Sequence, residues 1–281
     1  MCQKKLKELH MKKLMLFILF SVLCLAGCAS NADKEEPKEK KEQTLKVASL
    51  IPPMTDILEI VKPLMKEEGI NLEIVVLNDN VQPNNALANK EVDANFFQHV
   101  PYMEQFNKNS NADLVAVQPI YHAVYGGYSP KYKSLDDLPD GATVAIANDP
   151  TNISRSLALM DKYGLIKLKD DATSTDATEA DIVENKRNFK IKKVDLLMLA
   201  RVYEDTDLTI MTPAYAEPLG LKPNKDALLT EGVESAFAIT LVARKDNADS
   251  EAIKLLAEKM TGPEVKKFLE EDFKDSALPA F

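Results

Sequence analysis

The chain has four arginines, Arg155, Arg187, Arg201 and Arg244, and the first of them closes the run Asn148-Asp149-Pro150-Thr151-Asn152-Ile153-Ser154-Arg155. Asp149 suits the N-cap of a helix, and Pro150 suits its first position, where a missing N–H costs nothing. The free N–H groups and the positive dipole end of such a helix favour an anion. Arg155 lies about one and a half turns further on and can reach back with a planar, two-pronged donor that fits a carboxylate. An arginine that ties its helix to a neighbouring acid fits the same letters, and the residues alone leave both roles open. A second segment, Asp93-Ala94-Asn95-Phe96-Phe97-Gln98-His99-Val100-Pro101-Tyr102, crowds four rings around a strand-to-helix junction, with Asn95 and Gln98 as amide donors. Aromatic walls with a few convergent polar groups describe a small-molecule pocket. Aromatic core, with His99 bonded to a nearby backbone group, is the plainer alternative.

Other chemistries lack their residues. The three cysteines, Cys2, Cys24 and Cys28, all precede residue 29, so the rest of the chain has no thiol for a disulfide framework, a thiolate zinc site or a nucleophile. Only His10, His99 and His122 carry imidazoles, and no HExxH, GxSxG, GxGxxG or GxxxxGK[ST] motif is present. These counts predict neither an enzyme nor a metal or cofactor site. With 35 Lys+Arg against 44 Asp+Glu, the formal net charge is -9, which disfavours binding to nucleic acid.

The N-terminal residues read as an address. Lys12 and Lys13 precede a run from Leu14 to Leu25 that is apolar except for Ser21. That run has signal-peptide length and is too short to span ~30 Å of hydrocarbon comfortably. It ends in Leu25-Ala26-Gly27-Cys28, which resembles a bacterial lipobox. We therefore expect a signal peptide over 1–27, with Met11 as a possible start, and lipidation of the Cys28 thiol. Residues 28–44, charged and without an apolar face, read as a flexible tether. The body should then hang from a lipid anchor on the extracytoplasmic face of the cell membrane.

To position the two segments, the body must supply strands and helices in alternation. Strands are predicted over 45–50, 72–77, 94–97, 114–121, 143–147, 189–194, 208–211 and 236–243. Helices are predicted over 55–69 (capped by Thr55), 83–90, 99–107, 150–163, 196–203, 250–260 and 264–273, with a helical turn at 135–138. Strand, helix, strand suggests parallel pairing with crossovers, hence an α/β protein of two lobes with its site between them.

Several stretches carry a likeness to a known family: Val81 to Asn84 (VQPN), Asp93 to Tyr102 (DANFFQHVPY), Tyr128 to Asn152 (YSPKYKSLDDLPDGATVAIANDPTN), Ile182 to Asn185 (IVEN) and the closing Leu278-Pro279-Ala280-Phe281. These resemble the NlpA lipoproteins, the methionine-binding lipoproteins of ABC importers. The resemblance implies a two-lobed type-2 periplasmic-binding-protein fold, with lobe 1 over 45–122 and 233–281 and lobe 2 over 123–232. It also implies an importer permease as partner and an amino acid or short peptide as ligand. By position, Arg155 would grip the ligand carboxylate, Asn152 would stand near its polar end, and Phe97, His99 and Tyr102 would line the pocket. Two positions depart from the family pattern. Asn80 stands where the family has a tyrosine, in Asp79-Asn80-Val81-Gln82-Pro83-Asn84. Thr212 and Ala214 stand where it has asparagines, in Met211-Thr212-Pro213-Ala214-Tyr215-Ala216. An aromatic wall and an amide donor are thereby lost, which predicts weak methionine binding. A different amino acid or a short peptide is the alternative ligand, and an adhesin or interaction lipoprotein without ligand is the alternative function.

Overall fold

A computed structural model describes residues 43–232, 236–274 and 276–281. The signal peptide, Cys28 and the tether as far as residue 42 lie outside the described residues.

The chain opens with β1 (Gln43–Ser49), two residues ahead of the predicted Leu45, because the exposed Gln43 and Thr44 already pair with Ile70 and Asn71. Helix α1 (Met54–Glu67) starts after Pro53 without a side-chain cap, so Thr55 lies inside the helix rather than before it. Its buried Ile57, Leu58, Val61 and Met65 recur on one face, which is why the segment is helical and packs on the sheet. Strand β2 (Ile70–Val76) returns parallel to β1, as a crossover requires. Then come α2 (Gln82–Ala88), β3 (Ala94–His99), α3 (Val100–Ser110) and β4 (Leu114–Ala123). Strand β3 is buried at every position and so sits inside its sheet.

A second sheet begins with β5 (Gly126–Tyr128), followed by β6 (Thr143–Ala147), α4 (Pro150–Lys162), a small β7–β8 hairpin (Lys167–Leu168 with Ile182–Glu184) and β9 (Lys190–Val194). The stretch 135–138 is a turn closed by Leu138 N–H donating to the Leu135 carbonyl, 3.4 Å, not a helix. The helix expected over 196–203 is broken: α5 (Leu199–Val202) is flanked by tighter turns at Leu196–Met198 and Tyr203–Asp205. After β10 (Leu208–Met211) come α6 (Pro213–Ala216), α7 (Pro223–Asp226) and β11 (Ala227–Thr230). The chain closes with β12 (Ala238–Arg244), α8 (Glu251–Met260), α9 (Pro263–Glu271) and β13 (Ala277–Pro279).

The first sheet has the order β13-β4-β12-β3-β1-β2 and the second β11-β5-β10-β6-β9. The first therefore draws on both ends of the described chain, and the second on its middle. Among the described residues, Val124 and Tyr125 join β4 of the first sheet to β5 of the second, and Glu231 and Phe237 stand between β11 of the second and β12 of the first. Each sheet has its own apolar core. Val47, Ile57, Phe96 and Leu241 belong to one, and Val144, Leu157, Ile210 and Leu229 to another. Gly127 sits where β5 is squeezed between neighbours: a Cβ there would come 3.0 Å from Leu229 Cγ.

Candidate functional site

Helix α4 begins as expected, with Asp149 at the N-cap and Pro150 in first place. Its end is not open to an external anion, however. The Asp149 carboxylate accepts from Asn152 N–H (3.0 Å), Thr151 Oγ1 (2.8 Å) and Asn152 Nδ2 (2.8 Å), so the helix supplies its own anion. Arg155 does not reach back to that end. It is 1% exposed and runs to the two segments that join the sheets. Nε donates to Glu231 Oε2 at 2.9 Å, Nη2 donates to the same oxygen, and Nη2 also donates to the Ala123 carbonyl at 3.3 Å. The guanidinium carbon stands 4.3 Å from the Tyr125 ring centre and 4.5 Å from that of Phe237, a cation held between two π faces. Both openings left by the sequence are thus partly realised: Arg155 is tied to an acid, yet its Nη1 is buried with no hydrogen-bond partner among the described residues. An orphaned charged donor of that kind is costly unless something fills it.

On the first sheet, β3 delivers Phe97 and His99, and His99 is the N-cap of α3. Its Nδ1 accepts from Tyr102 N–H at 3.2 Å, so the proton sits on Nε2, which faces Asn152 Oδ1 at 3.3 Å. Asn152 Nδ2 is held by Asp149, so the amide has one orientation available. Burial, reinforced by the Arg155 charge, pushes the His99 pKa down to about 3, and the ring is neutral at physiological pH. Tyr102 stands edge-on to Phe97 with centres 6.0 Å apart, and its hydroxyl donates to the Asn80 carbonyl at 2.9 Å.

The amides expected to face a ligand turn largely to each other. Asn84 Nδ2 donates to Gln98 Oε1 (2.8 Å), while Asn95 Nδ2 (2.9 Å) and Gln98 Nε2 (2.6 Å) both donate to Asn84 Oδ1. Asn95 is fully buried in this network, which locks α2 to β3 and accounts for the VQPN run structurally.

The His99 geometry carries a pH dependence. Its pKa is lower folded than the ordinary 6.5, so between about 6.5 and 3 the unfolded chain binds the extra proton. Stability is therefore fully present above that window and is lost as pH falls through it, at up to about 1.4 kcal/mol per pH unit for one group. His99→Asn keeps a cap acceptor but removes the titration. Its melting temperature should fall less steeply with acidification than that of the wild type, and parallel slopes would show that His99 is not the group responsible.

These side chains meet in one cavity of about 730 Å³, mouth included. Asn80, Phe97, His99, Tyr102, Asn152, Arg155 and Thr212 line it, as does Gln98, whereas Asn95 and Phe96 do not. Its walls come from both sheets' elements, with Phe97, Tyr121 and Ile239 on one side and Asn152, Thr212 and Tyr215 on the other. A profile of the NlpA lipoproteins matches residues 45–281. The chain belongs to the NlpA lipoprotein family. This NlpA lipoprotein is 38% identical to the methionine-binding lipoprotein MetQ of Bacillus subtilis (strain 168) over 275 residues, 96% of this chain and 99% of that one. The crystal structure of a YaeC-family lipoprotein from Enterococcus faecalis V583 is 44% identical, with a TM-score of 0.75 over 85% of this chain and 100% of that one. A nutrient binding protein from Burkholderia cenocepacia, solved bound to methionine, is 38% identical, with a TM-score of 0.81 over 84% and 100%.

The NlpA lipoprotein therefore has the two-lobed fold of substrate-binding proteins, and its family is one of binding proteins rather than enzymes. Among the described residues no helix is long and apolar enough to cross a membrane, and no cluster of three His, Cys, Asp or Glu side chains could hold a metal ion. Sequence reading missed Glu231, Tyr125 and Phe237, which hold the guanidinium. They lie in the crossing segments, outside any motif, and their only local signal is an acid and two rings beside strand ends.

Proposed function

We propose that this NlpA lipoprotein is the substrate-binding component of an ABC importer, and that an amino acid of the methionine type occupies the cavity with its carboxylate on Arg155. The observation that carries this reading is Arg155 Nη1, a buried charged donor without a partner on a side chain that lines the cavity. Phe97, Tyr121 and Ile239 offer apolar surface for a side chain, and neutral His99 with Asn152 offers polar atoms without adding charge. The relatives named as methionine-binding, and the neighbour solved with methionine, support the same ligand class. Lobe 1 would comprise 45–122 with 233–281 and lobe 2 123–232, a division supported by the split of the strands into two sheets, with Ala123 still in β4 of the first. Denaturing the purified protein and identifying what it releases by mass spectrometry tests the proposal. An amino acid supports it, whereas a protein that neither carries nor acquires any small molecule points to an adhesin or interaction lipoprotein.

Asn80 and Thr212 favour a second reading of the ligand, a different amino acid or a short peptide. Both line the cavity, so the departures from the family pattern fall on the surface a ligand would touch. The lipid anchor is also part of the proposal. Cys28→Ala removes the only thiol of the lipobox, so the variant should lose fatty-acid labelling and partition away from the membrane. A Cys28→Ala protein that is still labelled and sediments with membranes would place the anchor elsewhere.

A further inference from the structure

Arg155 is the one formally charged side chain among the described residues lining the cavity. Its charge is already balanced from behind, by a residue that does not line the cavity. Glu231 Oε2 accepts from both Nε and Nη2, and the Glu231 side chain is 15% exposed against 1% for Arg155. The pair is flanked by the Tyr125 and Phe237 rings, which keep the local dielectric low and leave little room for water to screen an added charge. His99, the nearest imidazole on the cavity wall, is neutral. The arginine, its acid and the histidine therefore sum to zero.

We infer that Glu231 is the residue that sets the charge of the accepted ligand: it occupies two of Arg155's three nitrogens, leaves Nη1 for a single carboxylate, and restricts the site to ligands of zero net charge. The inference rests on the reading that Arg155 takes the ligand's carboxylate. A zwitterion brings one carboxylate to Nη1 and adds no net charge. An anion of the same shape leaves an uncompensated negative charge beside Glu231, where the two acids compete for one guanidinium. Glu231 thus limits the ligand class without touching the ligand. Because one oxygen takes both bonds, Glu231→Gln can keep them through its amide oxygen while deleting the charge.

The test uses calorimetry on the ligand-stripped, full-length protein with two probes of the same shape: L-methionine and its 2-hydroxy analogue, in which a hydroxyl replaces the ammonium and the net charge is -1. Wild-type protein should bind methionine at least about tenfold more tightly than the analogue. Glu231→Gln should shift that ratio about tenfold or more toward the analogue, and Glu231→Asp, which keeps the charge, should leave it near the wild-type value. Equal or tighter binding of the analogue by the wild type overturns the inference even if Glu231→Gln fails to fold. So does an unchanged ratio in a folded Glu231→Gln protein. If the wild type binds neither these probes nor any amino acid, the functional reading falls, and this inference with it. If the wild type binds methionine and Arg155→Ala does not, an unchanged Glu231→Gln ratio removes the charge-setting role alone.

Discussion

Arg155→Ala lowers ligand affinity about a hundredfold or more, the largest loss expected of any single substitution in this protein. The ligand carboxylate would enter a cavity walled by Phe97, Tyr121 and Ile239 with no cation to meet it. The substitution acts on the fold as well, because Glu231 is left without its partner. Breaking a buried pair costs about 3–5 kcal/mol, and the lower end applies because the Glu231 side chain retains 15% exposure to water. The two effects are separable. Arg155→Ala combined with Glu231→Ala removes the stranded acid, so thermal stability should recover much of its loss while binding stays absent. Calorimetry and thermal melts on the single and double variants check both halves. Wild-type affinity in the single variant would take Arg155 out of the site, and an uncorrected melt in the double would mean that stability was lost through the cavity between the Tyr125 and Phe237 rings.

Asn80→Tyr combined with Thr212→Asn raises methionine affinity by about ten- to hundredfold, and by more than the two single changes add to separately. Residue 80 is a fixed point on the wall, since its carbonyl accepts from the Tyr102 hydroxyl at 2.9 Å. A tyrosine there adds an aromatic surface of ~150–250 Å² to the cavity wall. Residue 212 stands just before α6, on the opposite wall, and an amide in place of its hydroxyl adds a donor to the ligand's polar end. If both groups touch the same bound molecule, their effects couple. Purely additive or negligible changes would show that they do not share a ligand. Tight, nanomolar methionine binding by the wild type, with no better ligand in a panel of amino acids and dipeptides, would show that neighbouring residues already compensate.

Local pattern alone determined much of this protein. The apolar spacing of α1, the Asp149-Pro150 start of α4, the continuous apolar run of β6 and the strand–helix–strand order around β1 and β2 are all consequences of short-range rules, and each forms nearly where those rules place it. Seven of the residues that line the cavity were also legible, because each lies in or beside a short run that resembles the family's pattern. The short strands were not. Gly126–Tyr128 and Ala277–Pro279 exist because longer strands pair with them, and Ala227–Thr230 is an edge strand held by its pairing with Gly126–Tyr128.

Only the tertiary structure decided which partner each polar group takes. Asp149 fills its own helix end, so the helix start carries its own anion, and Arg155 turns away from it to Glu231 and the cavity wall. Asn84, Asn95 and Gln98 satisfy one another, and of the three Gln98 alone lines the cavity. Arg155 meets Glu231 across 76 residues, at the place where the second crossing leaves β11. Periodicity reports which face of an element is apolar, because that depends on neighbours three or four residues away. A buried charge is satisfied by whatever donor or acceptor the fold carries to it, and no spacing along the chain encodes that distance.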